Sequence, residues 1–143
     1  MTHQPKSVTP YRLLHTMLRV SDLEVSLAFY CDILGMRILR RSDYPEGQFT
    51  LVFIGYEDEA NGAVIELTYN WAQKPQIPGT LFGHIALAVK DLQKTCTSLA
   101  EKGVTITRQP GPMAFKTTAQ TTPENIAFIS DPDGCAIELI ERS

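Results

Sequence analysis

The stretch HTMLRVSDL, residues 15–23, returns sixty-nine positions later as HIALAVKDL, residues 84–92. Such a repeat constrains the fold strongly, because whatever the first copy builds the second must build again. Each copy runs on into a helical pattern. In SDLEVSLAFYCDILG, Ser21 or Asp22 can cap, Leu23, Leu27, Tyr30 and Leu34 share one face, and Gly35 ends the helix. In KDLQKTCTSLAEKG, Asp91 caps, Leu92, Cys96, Leu99 and Ala100 form the face, and Gly103 ends it. Short β-rich runs follow: MRILRRS, QFTLVFIGY and GAVIELTYN in the first half, VTITRQ, ENIAFISD and CAIELIER in the second. The last strands also match, VIEL at 64–67 against AIEL at 136–139. Each half therefore reads strand, helix, three strands. The expected class is α+β, two tandem βαβββ modules whose curved mixed sheets form a cleft.

The tract NWAQKPQIPGT, residues 70–80, holds two prolines and a glycine and marks the join. Module one is expected over 11–70, a linker over 71–80 and module two over 81–143, together one domain of 143 residues with its tail. The tail, residues 1–10, is polar and proline-bearing and is expected to be disordered. A formal charge of −3 gives no electrostatic case for nucleic acid or an anionic membrane. No apolar run approaches the roughly 18 residues of a spanning helix, and the tail lacks a signal-peptide core. Three cysteines, an odd number without CxxC spacing, fit a reducing cytoplasm in which they act as small hydrophobes.

If the repeat only enlarged a core, its inward positions would be apolar. Alternate residues of a strand share a face. Thr16, Leu18 and Val20 lie opposite His15, Met17 and Arg19, and Ile85, Leu87 and Val89 lie opposite His84, Ala86 and Ala88. Ile65, Leu67 and Tyr69 oppose Val64, Glu66, Thr68 and Asn70, while Ile137 and Leu139 oppose Ala136, Glu138 and Ile140. Each half thus carries one His and one Glu among apolar neighbours at equivalent places. Two imidazoles and two carboxylates converging in a cleft suit a divalent metal such as nickel, zinc, cobalt, iron or manganese, with positions left for water or substrate.

With LLHTMLRVSDL, FYCDILGM, AVIELTYNW, FGHIALAV and DPDGCAIELIE in view, the sequence resembles the glyoxalase I (lactoylglutathione lyase) family of the vicinal oxygen chelate superfamily. The similarity runs from about Tyr11 to the C-terminus. It implies the glyoxalase fold and a metal held by His15, Glu66, His84 and Glu138. It also implies a homodimer with sites between subunits, and glutathione as co-substrate. The implied reaction is isomerisation of the glutathione–methylglyoxal hemithioacetal to S-lactoylglutathione, with Glu138 as main base and Glu66 as the facing carboxylate. Arg19 and Asn70 match residues that hold the glutathione moiety. Each lies four residues from a ligand, on the order of 13 Å along its strand at ~3.3 Å per residue. Arg108 or Lys116 is the candidate for the glutathione carboxylates, although the segment 111–125 is longer than in the short bacterial lyases. Thr80 stands where zinc-using members carry a basic residue, which favours nickel over zinc. The alternative is another metal-dependent enzyme of the superfamily, an epimerase, thiol transferase or dioxygenase. Glu66 as fourth ligand argues against a dioxygenase, and ELTYNW with Arg19 argues against the other two.

Overall fold

The computed structural model describes residues 11–72, 75–114 and 122–143, so the expected tail over 1–10 lies outside the described residues. The element order is β1 (His15–Arg19), α1 (Leu23–Leu27), β2 (Arg37–Tyr44), β3 (Phe49–Gly55), β4 (Val64–Asn70), β5 (Ile85–Val89), α2 (Leu92–Glu101), β6 (Thr105–Pro112), β7 (Asn125–Ser130) and β8 (Ala136–Glu141). The strands form two four-stranded sheets, ordered β1-β4-β3-β2 and β5-β8-β7-β6. In each, the first strand pairs in parallel with the last and the others pair antiparallel. This is the tandem βαβββ arrangement expected from the repeat.

Local chemistry sets the helix ends. Asp22 is extended (φ −137°) and accepts the Val25 amide, and Asp91 (φ −121°) accepts the Lys94 amide, each satisfying a donor that the first helical turn leaves free. Gly35 and Gly103 close the helical segments with φ of +76° and +85°, a conformation that costs glycine no side-chain clash. The first helix is not regular as far as Gly35. After α1 the chain widens into a π-helix over Ala28–Ile33. Adjacent residues of an α-helix point about 100° apart, so a regular helix would turn Phe29 away from the Leu27 and Tyr30 face. In the wider turn both aromatics are buried and meet edge to face, ring centroids 5.0 Å apart.

One apolar cluster draws on both halves: Leu23, Leu27, Val52, Ile54 and Leu67 from the first, Leu92, Leu99, Ile129, Ile137 and Leu139 from the second. Of these, Leu67, Ile137 and Leu139 sit on the strand faces that alternation assigned away from the His and Glu residues. Full burial of each large aliphatic contributes about 1.5–3 kcal/mol. A polar tie crosses the same boundary. The fully buried Tyr30 hydroxyl donates to Asp131 Oδ2 at 2.7 Å, while Asp131 Oδ1 accepts the Asp133 and Cys135 amides, both at 2.8 Å. Burial and the neighbouring carboxylate push the Tyr30 phenol far above its ordinary range, so it remains a donor. The helical segment of the first half thereby braces the turn that leads into β8.

Candidate metal and substrate site

The same register places a His and a Glu together in each sheet. Glu66 lies opposite Met17 in the β1–β4 ladder and Glu138 lies opposite Ala86 in the β5–β8 ladder; each partner is two residues after the histidine. On the other side Glu66 faces Phe53 and Glu138 faces Phe128. His15 Nε2 lies 3.5 Å from Glu66 Oε1, and His84 Nε2 lies 3.1 Å from Glu138 Oε1. The carboxylates are mostly covered (14% and 11% exposed) and the imidazoles open (36% and 42%). Each imidazole also meets a phenylalanine edge to face, His15 on Phe53 at 5.4 Å and His84 on Phe128 at 5.3 Å.

Beyond this shared pattern the surroundings differ. Thr68 Oγ1 donates to Glu66 Oε2 at 3.0 Å, so one oxygen of that carboxylate is held within its own strand. The Arg40 guanidinium lies 3.7 Å over the Phe53 ring and makes two bonds to Glu59, of 2.9 and 3.1 Å. That pairing holds the Glu59 carboxyl below its ordinary range and raises Arg40. In the second half Arg108 sits opposite Phe128. Its guanidinium donates to the carbonyls of Gln109, Gly111, Pro112 and Ile126 at 2.7–3.2 Å. These bonds clamp a strand whose register shifts on either side of Arg108.

The remaining sequence-derived candidates fall as follows. Arg19, at the end of β1, is exposed and lines a cavity of about 390 Å³ with Met17 and Phe82. Asn70 ends β4, half-buried, opposite Phe49. Lys116 lies outside the described residues. His15 and Glu66 come together, as do His84 and Glu138. Among the described residues, however, no group of three or more His, Cys, Asp or Glu in one chain is placed to hold a metal.

Sequence reasoning missed Phe53, Phe128, Arg40 and Glu59. A signal for the two phenylalanines was present, since each half carries a Phe-Ile pair in its third strand, Phe53-Ile54 and Phe128-Ile129. Arg40 and Glu59 have no such mark. Their pairing spans β2 and the loop before β4.

The Glyoxalase/Bleomycin resistance protein/Dioxygenase superfamily matches residues 12–139, and the chain belongs to it. Within that family it groups with the lactoylglutathione lyases. It is 55% identical over 131 residues to a probable lactoylglutathione lyase of Synechocystis, an overlap covering 92% of this chain and 95% of the relative. It is 50% identical, with 92% and 91% covered, to the lactoylglutathione lyase of Neisseria meningitidis serogroup B. Among solved structures, the fold matches glyoxalase I of Zea mays at a TM-score of 0.82 and 39% identity over 92% of this chain. The chain spans only 45% of that maize chain. It also matches the trypanothione-dependent glyoxalase I of Leishmania major at a TM-score of 0.76 and 38% identity, with 92% and 86% covered. Membership in the lyase group implies a metal and a glutathione-derived substrate. The donor set fits a metal: two neutral-capable imidazoles and two carboxylates, held as pairs on open sheet faces, are the N and O ligands that borderline divalent ions take.

Proposed function

We propose that the chain is a lactoylglutathione lyase that converts the hemithioacetal of glutathione and methylglyoxal into S-lactoylglutathione. It would work as a homodimer in which each site takes His15 and Glu66 from one subunit and His84 and Glu138 from the other. The observation that carries this reading is the matched pairing, one His with one Glu at the same register in two sheets of the same topology. Among the described residues a single chain offers two half-sites, and in this reading a second copy would supply the complement. Exposed apolar side chains near the starts of β1 and β5, Leu13, Leu14, Leu81 and Phe82, are surface for that contact. A maize glyoxalase I chain more than twice as long as the matched segment is in keeping with two copies making the working unit.

The reaction removes a proton from one carbon and returns it to the neighbouring carbon. A carboxylate with an ordinary pKa near 4.3 is far too weak a base for an unactivated carbon acid. A bound metal would supply electrophilic stabilisation of the charge that develops on the substrate oxygens. Glu138, 11% exposed and anchored beside His84, would take up the proton on a carboxylate oxygen and deliver it to the adjacent carbon. Glu66, facing it across the assembled cleft, would handle the opposite hand of the substrate. Arg19 and Asn70, four residues along from His15 and Glu66, would hold the glutathione part. Arg19 offers a two-pronged donor for a carboxylate. Arg108 is the weaker candidate for that duty, because backbone carbonyls already occupy much of its guanidinium. Lys116 remains a proposed second cation.

Nickel is the proposed metal, ahead of zinc. A cytoplasmic setting suits the three free cysteines, and among the described residues no helix is long and apolar enough to cross a membrane. The test is to strip the protein with a chelator and refill it separately with nickel and zinc. Calorimetry would give the stoichiometry, and absorbance would follow thioester formation from glutathione plus methylglyoxal. One ion per subunit with activity restored best by nickel supports the reading in full. Tight binding without turnover on either metal overturns the lyase assignment and points to an epimerase, thiol transferase or dioxygenase of the superfamily.

A further inference from the structure

The ELTYNW stretch ends in a tryptophan that neither the metal pairs nor the substrate contacts use. Trp71 directly follows Asn70, the last residue of β4. Its indole Nε1–H donates to Thr50 Oγ1 at 2.9 Å, and the Thr50 hydroxyl donates onward to Asp43 Oδ1 at 2.7 Å. Thr50 is 3% exposed and lies opposite both Asp43 in the β2–β3 ladder and Tyr69 in the β3–β4 ladder. One hydroxyl therefore ties together β2, β3 and the chain just past β4. It has a single proton, which goes to Asp43, and a lone pair that receives the indole, so its donor and acceptor roles are set. The main chain is held at the same point: Trp71 N–H donates to the Gln48 carbonyl at 2.9 Å. Gln48 sits in the β2–β3 turn with φ of +55°, a left-handed conformation unusual for a non-glycine residue. Trp71 is thus fastened by side chain and backbone to one hairpin.

By alternation, the faces on either side of this tie differ. Thr50 shares its side of the sheet with Tyr69 and Leu67, whereas Asn70 lies on the side of Glu66. Strand ends fray unless something anchors them, and an amide that wanders must be ordered when it binds. We propose that Trp71, Thr50 and Asp43 are positioning residues that hold the end of β4 so that Asn70 meets the substrate in one orientation. This rests on the reading of Asn70 as a substrate contact. The network lies at the far end of the strand from the His15–Glu66 pair, so it governs binding and leaves the chemical step alone.

Steady-state kinetics on the nickel-loaded enzyme test it, using Asn70→Ala, Trp71→Phe, Thr50→Val and Thr50→Ser, with Trp71→Phe also combined with Asn70→Ala. Asn70→Ala is expected to raise KM about tenfold, the scale of one lost hydrogen bond to substrate. Trp71→Phe and Thr50→Val are expected to raise KM roughly three- to tenfold, with kcat within about twofold of the parent. Thr50→Ser, which keeps the hydroxyl, restores the parental KM. In the double variant Trp71→Phe adds nothing to Asn70→Ala, because the two act as one unit. If Trp71→Phe fails to fold, the Thr50→Val and Thr50→Ser pair still decides the matter. The proposal is overturned by a parental KM in Thr50→Val beside a raised KM in Asn70→Ala. Multiplying effects in the double variant, or a fall in kcat at constant KM, overturn it too. An unchanged KM in Asn70→Ala instead removes the substrate role of Asn70, and the purpose of the network with it.

Discussion

The two halves are alike close to the His–Glu pairs and unlike a few residues away. Each carboxylate lies opposite the residue two past its histidine, and each histidine rests against a phenylalanine at 5.3–5.4 Å. Four residues further on, the likeness ends. Arg19 and Asn70 in the first half correspond to Ala88 and Arg142 in the second, and Arg142 is tied to Glu124. The lesson follows from symmetry. An ion that takes one imidazole and one carboxylate from each side accepts matched donors, so nothing drives those positions apart. A thiol adduct has a reacting end and a peptide end, so on the proposed reading the two halves would be called on for different parts of it. The arginines paired with the two phenylalanines across the ladders also differ: Arg40 lies over the Phe53 ring and is neutralised by Glu59, whereas Arg108, opposite Phe128, is locked on carbonyls.

The sharpest way to break this picture is to disable one half at a time. His15→Ala and His84→Ala should each be inactive alone. Mixed after subunit exchange, they should recover about a quarter of the parental activity, because half the dimers are mixed and each has one intact site. No recovery would place all four ligands in one chain and overturn the intersubunit site. Next in size, Glu138→Gln is expected to lower kcat by about 10²–10⁴, the range for loss of a general base, with Glu66→Gln falling less. Equal losses measured by initial rates would make the two carboxylates catalytically equivalent.

A smaller effect separates the two arginines. Arg108→Met strips donors from Gly111, Pro112 and Ile126 and should cost about 1–3 kcal/mol, read as a fall in melting temperature. Arg40→Met removes an exposed ion pair and should shift the melt much less. The reverse order would show that the Arg40–Glu59 pair is the structural member. The smallest expected change concerns the thiols. Burial raises Cys31 and Cys96, and Cys135 is pushed up to about 11 by burial and then by Asp131 and Asp133. A raised thiol pKa means less thiolate at a given pH, so all three should alkylate slowly at neutral pH, and Cys135 should quicken only as pH nears that value. Rapid labelling of Cys135 at neutral pH, followed by mass spectrometry, would contradict its burial.

Much of this was legible in the sequence because period and repetition are local properties. Alternation separated Ile65 and Leu67 from Glu66, and Ile137 and Leu139 from Glu138, and the apolar sets do form the shared core. The Ser21–Asp22 pair and Asp91 announced the helix starts because a cap acts within three residues, and the structure gives the first cap to Asp22. The sequence alone thus determined the two βαβββ modules and which residues stand on which face. Only the tertiary structure decided that the four candidate ligands gather as two pairs in one chain. It alone showed that Ala28–Ile33 widens to bury two adjacent aromatics, and that Tyr30 reaches Asp131 across 101 positions. The physical reason is range: capping and alternation are set by neighbours in the chain. The meeting of Arg40 with Glu59, of Trp71 with Thr50, or of one half-site with another depends on how sheets and subunits pack, which no short stretch encodes.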